Sequence, residues 1–299
     1  MMFTNKYGLP APLVLAACGD AHWQSGKYSI SQLSKPVQQV MLEKKFGHEF
    51  ISDASSRLWA MLGIAAHEVI HKSRCFEMVA VAGKEGVFNV VPLNDSMMPS
   101  KHAQEIRLEV EVQTPFGRVP VSGTFDHYDT ELRELNDWKV TSVYSFLAGG
   151  KEEWEQQLNA YAYALVEKGY PAPKKLNNFL ILRDWRPSEY KQDQRRPEGE
   201  RRGYPPVPFV CVENNLWTRS QQAEWITSRI ILFEKNIGAL PTELPPCLPE
   251  ETWGGRRCAE YCDAALYCEQ KKEADKQVAA ALASTTLEAA GVKKRRKNA

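Results

Sequence analysis

Residues 105–113 read Glu-Ile-Arg-Leu-Glu-Val-Glu-Val-Gln, polar and apolar side chains in strict alternation. A strand sends successive side chains to opposite faces, so this run is predicted to be a strand with one apolar side and one charged side. Pro115 to Gly117 supplies a turn. Val119 to Asp126 makes a second strand and Glu131 to Trp138 a third. The connection His127-Tyr128-Asp129-Thr130 is short enough for a hairpin. The middle of the chain is therefore expected to be an antiparallel meander, and Phe76 to Ala82 is a further strand candidate.

Helical spacing surrounds the meander. Ser31 to Phe46 is predicted helical, and so is the stretch from about Asp53 to Lys72, where Leu58, Met61, Leu62, Ala65 and Val69 share a side and Ser52 or Asp53 can cap the start. Lys151 to Lys168 is helical, with Trp154, Leu158, Tyr161, Leu165 and Val166 inward and Gly169 and Pro171 as its stop. Leu176 to Leu182 is a buried strand and Phe209 to Val212 a short one. Arg186 to Pro208 is expected to be loop, Gln221 to Ile237 helix, and the end of the chain an Ala/Lys/Glu-rich helix. Three segments result: a lead-in over 1–27, a core over 28–240, and a cysteine-bearing basic segment over 241–299.

At 299 residues, 43% apolar and 25% charged, the chain can bury a large core and is not disordered by composition. A net charge of +1 gives no global sign of nucleic-acid binding, though a basic groove can be balanced elsewhere on a surface. Arg195, Arg196, Arg201 and Arg202, and the tail Lys293 to Lys297, are the local basic runs and read as solvated loop and tail. The apolar stretch Leu9 to Ala17 is broken by prolines and lacks a basic lead, so no signal peptide is expected. No run approaches a membrane span, and a cytoplasmic location is the default.

The chemistry centres on the second and third strands. Asp137 and Lys139 are two residues apart on one strand and so share a face. Asp126 lies on the neighbouring strand of the hairpin. Two carboxylates brought together repel unless a cation separates them, and hard oxygen donors suit Mg²⁺ or Mn²⁺. A lysine beside such a cation can orient a water and offset phosphate charge. By itself the trio is also what many solvated strands carry.

Gly123-Thr124-Phe125-Asp126, then Asp137-Trp138-Lys139, then Gln157 and Tyr161 in the following helix, resemble the motifs of the PD-(D/E)xK nuclease superfamily. The similarity is to its RecB-type branch, with Cas4-like and phage exonuclease relatives. Gly63 and His67 match the histidine of that branch's upstream helix, and Tyr28-Ser29-Ile30-Ser31-Gln32-Leu33 its entry segment. The resemblance runs from about residue 28 to 268. It implies an α/β fold with a restriction-endonuclease-like core, a central mixed sheet flanked by helices. It implies Mg²⁺- or Mn²⁺-dependent hydrolysis of DNA, exonucleolytic in character, in phage or cellular recombination, repair or degradation. The metal would be bound by Asp126, Asp137, the main-chain carbonyl of Trp138, and His67. Lys139 would position the attacking water, with Gln157 and Tyr161 serving the lysine or the DNA backbone. A recombinase, an annealing protein or a helicase would be the partner, since the chain has no helicase P-loop. The acidic residue of the Asp-x-Lys element is Asp here, where Glu is commoner.

Two other readings compete. His67-Glu68-Val69-Ile70-His71 also fits the zinc-protease pattern His-Glu-x-x-His, with Glu77 or His102 as a third ligand. A nucleic-acid-binding protein without turnover would keep the fold and not need the intact Asp126, Asp137 and Lys139 set.

Of seven cysteines, Cys18, Cys75 and Cys211 are scattered, whereas Cys247, Cys258, Cys262 and Cys268 crowd together. Four soft ligands suit structural Zn²⁺ or a [4Fe-4S] cluster. The resembling proteins often carry such a cluster on one N-terminal and three C-terminal cysteines. Here no cysteine occurs near Pro36 to Gln39, and Cys247 is the candidate replacement; free packing cysteines are the alternative.

Overall fold

The computed structural model describes residues 2–19, 26–72, 78–82, 88–92 and 102–280. Cys75, Glu77 and the tail Lys293 to Lys297 lie outside the described residues, as does the side chain of His102. The chain forms two compact units. One comprises Asn5–Ser34 and Asp53–Ile231; the other comprises Met1–Thr4, Lys35–Ser52 and Leu232–Ala299.

The larger unit is α/β and carries a six-stranded mixed sheet. Its main elements in chain order are β1 (Tyr28–Ser29), helix α1 (Leu58–Lys72), β2 (His102–Thr114), β3 (Gly117–Asp129), β4 (Glu134–Thr141), helix α2 (Glu152–Glu167), β5 (Lys175–Leu182) and β6 (Phe209–Asn214). β2 and β3 form a long antiparallel hairpin, β3 meets β4 antiparallel, β4 and β5 run parallel, and β6 closes one edge antiparallel to β5. β1 lies parallel to β3 at Val121 and Ser122. A separate hairpin pairs Met78–Ala82 with Phe88–Pro92.

The meander follows its pattern. Leu108, Val110 and Val112 are buried while Arg107, Glu109 and Glu111 are exposed. The Thr114 hydroxyl accepts from the Phe116 amide and donates to the Gly117 carbonyl, closing the first turn. The third strand starts later than Glu131, because the Asp129 carboxylate captures the amides of Glu131 and Leu132 and holds them in a turn. α2 buries Trp154, Leu158, Tyr161 and Leu165, and three glutamates in its first turn face the positive end of its dipole.

Three expectations need correction. Residues 31–46 are not one helix: Ile30–Leu33 and Val37–Phe46 are separate, because a proline at 36 disfavours helical geometry at residue 35. The lead-in contains a helix, Ala11–Cys18, started by its own proline. The region 186–208 is not all loop, because Pro187 at a helix start permits the helix Pro187–Gln194.

In the last turn of that helix Asp193 has a fully buried side chain that accepts from the backbone amides of Arg202 and Tyr204, each at 2.9 Å. These bonds hold its carboxyl below the ordinary range. The arginine-rich loop is thus wound around an internal anion, with Arg202 also pairing with Glu189 at 3.1 Å. A depressed folded-state pKa contributes stability above the unfolded pKa, and that stability is lost as pH falls through the folded one. Asp193→Asn is therefore expected to lower the melting temperature by several degrees at neutral pH. The gap from wild type should close at acid pH; a gap independent of pH would contradict this role.

In the smaller unit, Val37–Phe46 buries Val37, Val40, Met41 and Leu42. Phe46 stacks on Tyr267 with centroids 4.5 Å apart, and residues 269–280 are helical. No helix of the described residues is long and apolar enough to cross a membrane.

Candidate functional site

The site lies where β3 and β4 part. Their ladder pairs Asp129 with Glu134, Tyr128 with Leu135 and His127 with Asn136, and stops there. The next residues are Asp126 and Asp137. The amide of Trp138 donates to Asp126 Oδ2 at 2.7 Å, a side chain taking the place of a strand partner. The carbonyl of Trp138 lies 2.9 Å from His67 Nε2 on α1. Both main-chain polar groups of Trp138, its N–H and its C=O, are thereby held by two of the expected site residues.

His67 is oriented by these contacts. A carbonyl only accepts, so Nε2 carries a hydrogen and Nδ1 is the ring atom that faces the carboxylates. Nδ1 is 3.5 Å from Asp126 Oδ1 and 4.0 Å from Glu105 Oε1. The hydrogen bond to Asp126, helped by the charges of Asp126 and Asp137, raises the imidazole above its ordinary range, against burial and Lys139. Among the described residues, His67, Glu105 and Asp126 offer ligand atoms that all lie within 4.8 Å of one another. The chemistry of the set, two carboxylates and an imidazole, fits a hard or borderline divalent cation.

Asp137 and Lys139 share a face, as period two requires, while Trp138 points the other way and packs on Phe179. Lys139 Nζ is 2.8 Å from Asp137 Oδ2 and 3.4 Å from Gln157 Oε1 on α2. Asn178, fully buried on β5, donates to the same Asp137 oxygen at 2.8 Å, and Asn214 on β6 donates in turn to Asn178. Burial pushes the Asp137 carboxyl up, with Lys139 opposing. Burial also works against the Lys139 ammonium, but the charges of Asp137 and Asp126 outweigh it and the net shift is upward. These two tendencies conflict across one short contact. The ion pair is the state we favour, because it gives both the ammonium and the Asn178 amide an anionic acceptor.

Tyr161, one turn beyond Gln157 on α2, is buried, and burial drives its phenol well above the ordinary range. Its ring explains Gly123. A Cβ at 123 would stand 2.9 Å from the Tyr161 ring and 3.1 Å from Ile30, so only glycine lets α2 approach the strand this closely. For Gly63 no such contact occurs among the described residues: a Cβ there would meet none of their atoms within 4 Å.

His67, Asp126, Trp138, Asp137, Lys139, Gln157 and Tyr161 therefore come together. His71 and Glu68 do not join the ligand group, and Glu68 pairs on the helix surface with Lys72 at 3.2 Å. Sequence reasoning missed Glu105, Asn178 and the packing role of Gly123.

The second feature lies in the smaller unit. Cys247, Cys258, Cys262 and Cys268 line one cavity with Gln38 and Lys271, and none forms a disulfide. Burial, with further repulsion from neighbouring groups, pushes the Cys247 thiol up to about 12; burial likewise takes Cys262 to about 11 and raises Cys258. Gln38, itself buried, accepts from the Cys247 and Cys268 thiols at 3.5 and 3.2 Å. It stands in the stretch 36–39 where the resembling proteins would supply a cysteine.

No family model and no curated protein matches the chain. The solved structure of a protein known as SSO0001 is similar to it, with a TM-score of 0.51 at 12% identity over 87% of this chain and 95% of that one. At that identity the likeness is one of fold.

Proposed function

We propose that this chain is a Mg²⁺- or Mn²⁺-dependent deoxyribonuclease, exonucleolytic in character, with a restriction-endonuclease-like core. The observation that carries the reading is the pair of side-chain contacts on the main-chain N–H and C=O of Trp138. It joins His67 from α1, Asp126 from β3 and the Asp137-x-Lys139 strand into one cluster, next to Gln157 and Tyr161 of α2. An acidic, partly buried cluster with one lysine suits a cation and an anionic substrate together.

Asp126 and Asp137 would supply the negative charge that holds the cation, and His67 and the Trp138 carbonyl would add neutral donors. When bound, the cation lowers the pKa of a water and offsets charge on the phosphate. Lys139 donates to that water or to a non-bridging phosphate oxygen. Asp137 and Gln157 hold its ammonium in place. Hydrolysis forms a bond from water oxygen to phosphorus and breaks the bond to one ester oxygen, leaving a phosphate end and a hydroxyl end. A recombinase, annealing protein or helicase remains the expected kind of partner.

The test uses linear and covalently closed circular DNA with Mg²⁺ or Mn²⁺. Linear DNA should be degraded and circles spared. Cleavage of both would make the enzyme endonucleolytic, and cleavage of neither would overturn the reading. The protease alternative has less support, since Glu68 is turned to Lys72.

We also read the four cysteines as a structural metal site, for Zn²⁺ or a [4Fe-4S] cluster. Burial disfavours the thiolates of Cys247, Cys258 and Cys262, and a bound metal would supply the positive charge that stabilises them. Anaerobically purified protein should contain zinc and be colourless, or contain iron with sulfide and be brown. Less than about 0.1 metal per chain in such protein would make them packing residues.

A further inference from the structure

We infer that Glu105 is a protein ligand of the active-site cation, in addition to His67, Asp126 and Asp137. The inference rests on the nuclease reading above. The β2–β3 register pairs Gln104 with His127 and Ile106 with Phe125 and is interrupted at Glu105 and Asp126, the two residues between those pairs. Two carboxylates placed opposite each other destabilise a sheet unless something positive lies between them. Glu105 also departs from the pattern of its strand. It has the parity of Arg107, Glu109 and Glu111, whose side chains are exposed, yet its own is 27% exposed and turned toward His67. Its backbone is left-handed, with φ of 49°, a conformation that glutamate adopts at a cost.

The surroundings complete the case. With Nε2 committed to the Trp138 carbonyl, His67 turns Nδ1 toward Glu105 and Asp126, and a second ring nitrogen tied to a main-chain carbonyl is the usual support of a metal-binding histidine. Asp137 shares its charge with Lys139 and Asn178, so a further carboxylate adds to what Asp126 and Asp137 offer the cation. Glu105 is thus the carboxylate whose atoms already group with Asp126 and His67 within 4.8 Å. Bonds of about 2.1 Å to one ion would draw neighbouring ligand atoms to roughly 3 Å, a small closure for three side chains.

Calorimetric titration of the full chain with Mn²⁺, and melting with and without Mn²⁺, test this independently of cleavage. Glu105→Gln keeps the shape and removes the charge. It should weaken Mn²⁺ binding by about tenfold or more. Without metal, the variant should stay folded and melt close to the wild-type temperature, since the loss of repulsion from Asp126 and the loss of the His67 contact oppose each other. Glu105→Asp should fall between the two in affinity. Wild-type-like Mn²⁺ affinity in Glu105→Gln, with Asp126→Asn defective, would overturn this inference and leave the nuclease reading standing. Failure of the wild-type chain to bind Mn²⁺ would overturn both. A marked fall in metal-free melting temperature for Glu105→Gln would make the residue structural and would likewise count against a ligand role.

Discussion

Replacing Lys139 by alanine is expected to slow the cleavage step by about 10²-fold or more while leaving Mn²⁺ and DNA binding nearly unchanged. The ammonium is positioned by Asp137 at 2.8 Å and Gln157 at 3.4 Å, on the face it shares with the acidic cluster. Its work falls in the transition state, where charge builds on phosphate oxygens, so the loss should appear in kcat with KM little changed. Lys139→Arg keeps the charge but replaces a compact ammonium with a planar fork that the Asp137–Gln157 slot does not match, so rescue should be partial. Single-turnover rates at saturating Mg²⁺ measure this. A Lys139→Ala rate within twofold of wild type would remove the lysine from the mechanism.

Asp126→Asn should be more damaging still. Asparagine retains an oxygen for the Trp138 amide, so the strand opening and the fold should persist. The charge shared with the cation is gone, and cleavage should fall below detection along with calorimetric Mn²⁺ binding. Loss of the Asp126 hydrogen bond should also lower the His67 pKa from its raised value, which an NMR titration of the metal-free protein reads directly. Unchanged cleavage, or an unmoved His67 titration, would contradict the role given to Asp126. Asp137→Asn should likewise abolish cleavage, by weakening both the cation site and the anchor of Lys139.

Much of this site was legible in the sequence because it is built from short-range regularities. Period two put Asp137 and Lys139 on one face, and helical spacing put Gln157 and Tyr161 one turn apart. The hairpin brought Asp126 opposite. What escaped were features that depend on exceptions or on distance. Glu105 opens an alternating run and has the parity of a solvent-facing residue, and neither its left-handed backbone nor its approach to His67 is signalled by a spacing rule. Asn178 sits in an apolar-looking strand, and its task depends on the parallel pairing of β4 with β5 across a helix. Gln38 is 209 residues from Cys247, so the cysteine cluster showed its ligands but not the amide beside them. The helix Pro187–Gln194 was masked by polar composition, although Pro187 is a fair start signal. Gly63 fits the family motif, yet the described residues offer it no packing reason.

The most direct measurement is DNA cleavage by the wild-type chain after chelation and re-addition of metal. Protein stripped with a chelator should leave end-labelled linear DNA intact. Mg²⁺ or Mn²⁺ should restore degradation, and they should fail to do so in Asp126→Asn prepared in parallel. Degradation that survives chelation, or that metal restores equally in Asp126→Asn, would contradict a cation held at this site.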